Sequence, residues 1–205
     1  MMMQVLSLWV SRIFHPLFMP FLAMMLVFRY NRLLTFNIPS DAQMLIVALI
    51  FAYTIFLPLM AVLFLKRIKL VQSFEMHSRD ERKWAYLLSA LCYYICYYIL
   101  SGYSGLVIIS TLMLGATIAL MLLVFANLFF KISAHMTGIG GLCGIFCGLV
   151  YVFGMDYRPL IMGLFLLAGV IGWARLSLDA HKEAEIYTGF ALGFCSECGL
   201  LILLG

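Results

Sequence analysis

Between Ser104 and Phe130 the chain carries no charged side chain, and comparable apolar stretches run on either side of it. A helix that crosses a bilayer needs about 20 predominantly apolar residues. In hydrocarbon, a helix is the one single-segment structure that satisfies all its own backbone polar groups. Apolar stretches of that length lie near residues 8–28, 43–65, 84–101, 104–130, 136–153, 158–174 and 186–204. The composition leaves no room for a water-soluble alternative. The chain is 65% hydrophobic and 11% charged, with a mean hydropathy of +1.09, whereas soluble domains are nearer half apolar and a quarter charged. The expected fold is an all-α polytopic bundle of about 6–7 transmembrane helices, with residues 1–205 forming one integral membrane domain.

Pro16 and Pro20, in the stretch HPLFMP, predict a kink or an interfacial segment in the first span. The opening MMMQVLSLWVSRIF has no basic n-region followed by a small-residue cleavage site, so no cleaved signal peptide is expected. The net charge of +4 suits anionic headgroups, and no nucleic-acid-binding module is expected. Cys92/Cys96, Cys143/Cys147 and Cys195/Cys198 fall inside apolar runs, where cysteine serves as a small packing residue. His15 and His77 have no partner constellation and read as structural. The YYICYY run at 93–98 reads as lipid-facing and interhelical packing. Glu197, in the last span, is costly unless paired or facing water; it either lies near the end of a tilted helix or lines a cavity.

The ionisable side chains concentrate in three places: the loop VQSFEMHSRDERK (71–83), KISAH (131–135) and RLSLDAHKEAEIYTG (175–189). Two spans separate the first from the second, and two separate the second from the third. An even number of crossings returns the chain to one face, so all three can meet there. His181 and Glu185 are four apart and share a helix face, which lets the carboxylate fix the imidazole tautomer and stabilise its cation. Arg175 supplies a planar fork suited to phosphate oxygens. Lys131, Ser133 and His135 add a cation, a hydroxyl and a second imidazole, and Arg79, Arg82 and Lys83 add further charge. Singly, Arg175 and Lys182 read as snorkelling residues and His181–Glu185 as an ordinary surface pair. Together, two histidines, a carboxylate and several cations match phosphoryl transfer.

RLSLDAHKEAE resembles the third signature, SRxxxxxHxxxD, of the type 2 phosphatidic acid phosphatase superfamily. Arg175, His181 and Glu185 fall at its spacing, with Ala174 for the serine and glutamate for the aspartate. ISAH at 132–135 resembles the second signature, PSGH, keeping Ser133 and His135. The 71–83 loop resembles the first signature, KxxxxxxRP, more loosely: with Arg82 as its arginine, Glu75 stands at the lysine position and Lys83 at the proline. The likeness covers a phosphatase-like core at 71–190. It implies that His181 is a nucleophile that becomes phosphorylated, that Glu185 activates it and that His135 protonates the leaving group. It implies that Ser133, Arg175 and Arg82 bind phosphate, with Lys131 or Arg79 replacing the missing lysine, and that neither metal nor other cofactor is needed.

The implied activity is a lipid phosphate phosphatase acting on a phospholipid or polyprenyl (pyro)phosphate: a polyprenyl pyrophosphate, phosphatidate, phosphatidylglycerol phosphate or lipid A-like substrate. The alternative is a catalytically degenerate member of the same fold that binds or transports an anionic lipid or solute. Arg12, Lys66, Arg67, Lys69 and the cluster cations share one face, against Arg29, Arg32 and Arg158 on the other. The positive-inside rule then puts the clusters on the cytoplasmic side, of a bacterial inner membrane.

Overall fold

The computed structural model describes residues 2–31, 36, 38–72 and 79–204, without the side chains of Arg79 and Asp80. Its helices are α1 (Met2–Ile13), α2 (Met19–Tyr30), α3 (Ser40–Phe51), α4 (Leu57–Arg67), α5 (Arg79–Ser101), α6 (Val107–Phe129), α7 (Ala134–Phe153), α8 (Arg158–Ser177) and α9 (Glu183–Leu204). They form seven stretches long and apolar enough to cross a membrane. The protein is an all-α integral membrane bundle, and each expected apolar stretch coincides with one of these.

Two of the stretches are broken, each by proline. In the first, His15 is extended (φ −64°, ψ 138°), and a single 3-10 turn at Pro16–Phe18 follows before α2. The His15 Nδ1 accepts the Leu17 N–H at 3.3 Å and caps that turn. The helix before the break starts at Met2, earlier than the apolar pattern suggested. In the second, α3 and α4 are joined by a π-helical turn at Ala52–Phe56, just ahead of Pro58. Proline has no N–H for the Thr54 carbonyl and its ring crowds that group. The wider π turn absorbs the clash, and the Tyr93 hydroxyl donates to the Thr54 carbonyl from α5 at 3.5 Å.

The most extensive helix pairing is α7 with α9, and glycine is its cause. On α7, Gly140, Gly144 and Gly148 repeat every four residues. A β-carbon there would run into the Phe190 backbone, the Phe194 backbone and the Leu201 side chain of α9. Gly193 of α9 lies in the same way against the Thr137 carbonyl, and Gly189 against that of Ser133. Small residues at helical spacing let backbones approach closely where lipid supplies no hydrophobic drive between helices. Chain direction then sets the beginnings of α7 and α9 side by side, and the Ser133 N–H donates to the Glu185 carbonyl at 3.1 Å.

The α1 helix is amphipathic in an inverted sense. Ser7 and Ser11 are buried, while Met2, Val5, Leu6, Trp9 and Ile13 are exposed, and the helix packs along α8. In a bilayer the outward face meets lipid, so the polar side turns in. At the other end of the bundle the α7–α8 turn is fastened by Asp156, which accepts from Arg158 Nε at 2.8 Å and Nη2 at 2.7 Å.

Candidate functional site

One cavity of about 750 Å³ opens between the helices, and Arg82, Lys131, His135, Arg175 and His181 all line it. Described residues of all three polar clusters therefore meet at one end of the bundle, which the parity of crossings allows. Arg82 is buried in the first turns of α5. Lys131 precedes α7, and His135 lies in its first turn. Arg175 closes α8, and His181 sits in the short connection to α9.

That connection is built with care. The Ala180 N–H donates to the Arg175 carbonyl at 3.1 Å, and the Asp179 N–H to that of Leu176 at 2.9 Å. Asp179 has φ 49°. This is a Schellman motif with aspartate where glycine is usual, and it locks Arg175 and His181 into one turn. Lys131 reaches across from the α6–α7 connection and donates its Nζ–H to the Ala180 carbonyl at 2.6 Å.

His181 Nδ1 lies 2.7 Å from Glu185 Oε2. The carboxylate can only accept, so Nδ1 carries the proton and Nε2 keeps its lone pair. Burial pushes the His181 pKa down, the Glu185 hydrogen bond opposes this, and the Arg175 and Lys131 cations push it down again. The ring is neutral at neutral pH, the form a nucleophile or base requires. Lys131 is lowered from the usual lysine value by partial burial and then by Arg82, with Glu185 acting against them.

His135 is held differently. Its Nε2 lies 3.0 Å from the backbone carbonyl oxygen of Ser11, which makes Nε2 the donor and leaves Nδ1 with the lone pair. The Ser11 hydroxyl also accepts from Arg175 Nη1 at 3.2 Å. His15 lines the cavity, with its ring edge-on to that of His135 at 5.6 Å between centroids. The reading of His15 as structural thus missed a cavity residue. The HPLFMP stretch announced the break in the helix, but nothing in it announced that the break folds back over the histidines.

Not every expected residue faces the cavity. Glu185 is off the cavity wall and lies behind His181. Ser133 is fully buried and off the cavity wall, and its Oγ has no hydrogen-bond partner among the described residues; its backbone is committed to Glu185 and Thr137. The Arg79 side chain and His77 lie outside the described residues. Of Lys131 and Arg79, the two residues expected to stand in for a signature lysine, Lys131 is on the wall. Among the described residues, no three His, Cys, Asp or Glu side chains are grouped to hold a metal ion. All six cysteines are free thiols within helices.

Below this mouth the cavity continues along α7 as far as Ile145 and reaches Glu197 of α9, which decides between the two placements open for that residue. Compared with protein-family models, with curated proteins and with solved structures, the chain has no match.

Proposed function

We propose that this protein is a lipid phosphate phosphatase working through a phosphohistidine at His181. The observation that carries the reading is His181 on the wall of a cavity whose mouth also holds Arg82, Lys131, Arg175 and His135, with its Nδ1 committed to Glu185 at 2.7 Å. The phosphate seats against the three cations, which stabilise charge on its equatorial oxygens. His181 Nε2 attacks phosphorus, forming an N–P bond as the ester P–O bond breaks. His135 Nδ1, whose lone pair takes up the proton that a phosphate monoanion brings in, delivers it to the leaving oxygen, its Nε2 being engaged with Ser11. Water then attacks the phosphohistidine, passing a proton back to His135 and releasing inorganic phosphate. The apolar helices around the mouth favour a substrate that lies in the leaflet. The excess of Lys and Arg at this end supports a cytoplasmic-facing site in a bacterial inner membrane.

Ser11 favours a second reading. It already occupies His135 and Arg175, and Ser133 stays off the wall, which suits a relative of the same architecture that binds or moves an anionic lipid or solute. One experiment separates the two. Detergent-purified protein is offered phosphatidate, phosphatidylglycerol phosphate, a polyprenyl pyrophosphate and a lipid A-like phosphate, and phosphate release is measured. The phosphatase reading expects release from at least one lipid in excess chelator, abolished in both His181→Ala and His135→Ala. Lipid phosphate binding without release, equal in all three proteins, establishes the second reading instead.

A further inference from the structure

Glu197 is unlike every other described charged residue of this bundle. It sits on α9 about 21 Å of helix beyond Glu183, at 1.5 Å per residue, in a hydrocarbon layer about 30 Å thick. It is 4% exposed, makes no hydrogen bond or ion pair with any described residue, and its Oε2 is wholly enclosed. It is also the one α9 residue on the wall of the cavity.

Room for the carboxyl is built in. A β-carbon at Gly115 of α6 would collide with it, and one at Gly141 of α7 would touch its Cγ at 3.4 Å. Both facing helices thus present glycine where the acid lies. Among the described residues, no counter-charge accompanies it. The α6 helix has no charged or titratable side chain. On α7 these are His135, Cys143, Cys147 and Tyr151, of which His135 alone is on the wall; α8 has Arg158 and Arg175, at its two ends. Across the cavity, α5 contributes Arg82 at the mouth, then Tyr86 and Tyr93, and the Tyr93 hydroxyl is turned to Thr54. The other described cations on the cavity wall, Arg12 and Lys131, are at the mouth, on the far side of an apolar stretch.

An unpaired ion in such surroundings is strongly disfavoured, and a polar group there marks function by default. The ligand that removes its charge without bringing a new one, and that passes a cationic mouth in water, is a proton. We propose that Glu197 is a proton-binding site set inside the membrane, at the deep end of the cavity. A proton held there and an anion held at the mouth share one low-dielectric space, so each favours the other. That is the arrangement needed for proton-coupled handling of an anion. The assignment stands on the cavity and the isolated acid, and holds whichever chemistry operates at the mouth.

Dicyclohexylcarbodiimide tests it. This apolar reagent takes the acid O–H across one of its C=N bonds, and acyl migration to nitrogen leaves a stable N-acylurea with nothing expelled. Purified full-length protein is treated over a range of pH and mapped by peptide mass spectrometry. The expected result is an adduct on Glu197 whose rate of formation falls about tenfold per pH unit above one titration midpoint, and which is absent in Glu197→Gln. Absence of the adduct in folded wild-type protein, with a control membrane carboxyl labelled in parallel, overturns the proposal. So does labelling that does not change with pH. The primary readout needs only the wild-type chain, so poor folding of the variant leaves it intact.

Discussion

Ser11 gives its carbonyl oxygen to His135 Nε2 at 3.0 Å and its hydroxyl oxygen to Arg175 Nη1 at 3.2 Å. One residue of the first helix thereby orients two groups of the proposed phosphate site, from helices far along the chain. A hydrogen bond to a charged group contributes about 1.5–3 kcal/mol, part of which is recovered when phosphate itself engages Arg175. Ser11→Ala keeps the carbonyl and loses the hydroxyl. It is expected to weaken lipid phosphate binding about fivefold, near 1 kcal/mol, with kcat little changed. A fall in kcat with unchanged affinity would place Ser11 in the chemistry and not in the orientation of Arg175.

The pH dependence of phosphate release tests the pair at the proposed nucleophile. His181 must be neutral to attack, so activity is lost as pH falls through its pKa. Burial, Arg175 and Lys131 lower that pKa, and Glu185 raises it. Glu185→Gln removes the raising charge, and the acid limb of kcat/KM moves to lower pH. Lys131→Met removes a lowering charge, and the limb moves to higher pH. Glu185→Gln also loses the tautomer control and is expected to cut kcat by about 10²–10⁴. Limbs that stay fixed in both variants would assign the titration to another group.

The glycine seam makes a sharper prediction about stability. At Gly193 an added methyl meets the Thr137 carbonyl, and at Gly140 the Phe190 carbonyl, with backbone on both sides and nothing flexible to move. Gly193→Ala or Gly140→Ala is expected to cost about 1–3 kcal/mol, the range for overpacking. Because the seam aligns Ser133 with Glu185, activity falls with it. Gly163 and Gly169 of α8 have nothing within 4 Å of such a methyl. Their alanine variants are expected to be neutral, or stabilising by about 0.5–1 kcal/mol from helix propensity. Thermal melts in one detergent decide all four.

His15 is expected to matter through its cap. His15→Ala removes the acceptor for the Leu17 N–H, loosens the turn between α1 and α2, and lets Ser11 drift from His135 and Arg175. His15→Asn restores an acceptor at the same place. Phosphate release should drop severalfold in the alanine variant and recover in the asparagine one. Equal loss in both would show that the imidazole itself takes part in the chemistry.

How much of this was legible in the sequence depends on the length scale of each signal. The spans were, because about 20 apolar residues in a row admit few alternatives. So was the shared face of Arg82, Lys131, His135, Arg175 and His181, because it follows from counting crossings, whereas their convergence on one cavity depends on how the helices pack. The π turn was hidden: Pro58 sits in an unbroken apolar run, and what a proline does there depends on the neighbours that meet its freed carbonyl. Ser133 looked like a phosphate ligand by its place in ISAH, yet the close approach of α9 at Gly189 turns it into the helix interface. Ser11 and His15 were invisible for the same reason. Their part in the site comes from α1 folding back along α8, a long-range contact with no local pattern.

The turn that carries His181 offers a final test. Asp179 holds φ 49°, a left-handed conformation that costs an ordinary residue about 1–2 kcal/mol and that Asp, Asn and Gly tolerate best. Two hydrogen bonds of the Schellman motif depend on that conformation, and through them so does the spacing of Arg175 from His181. Asp179→Asn keeps the tolerance and removes the charge, so its melting temperature should match the wild type. Asp179→Gly should match or exceed it. Asp179→Val, β-branched and poorly suited to positive φ, should lose about 1–2 kcal/mol and most of the phosphate release, because the loop relaxes and takes the imidazole with it. If asparagine is as damaging as valine, the carboxylate itself is needed at the mouth of the cavity, where Asp179 forms part of the wall.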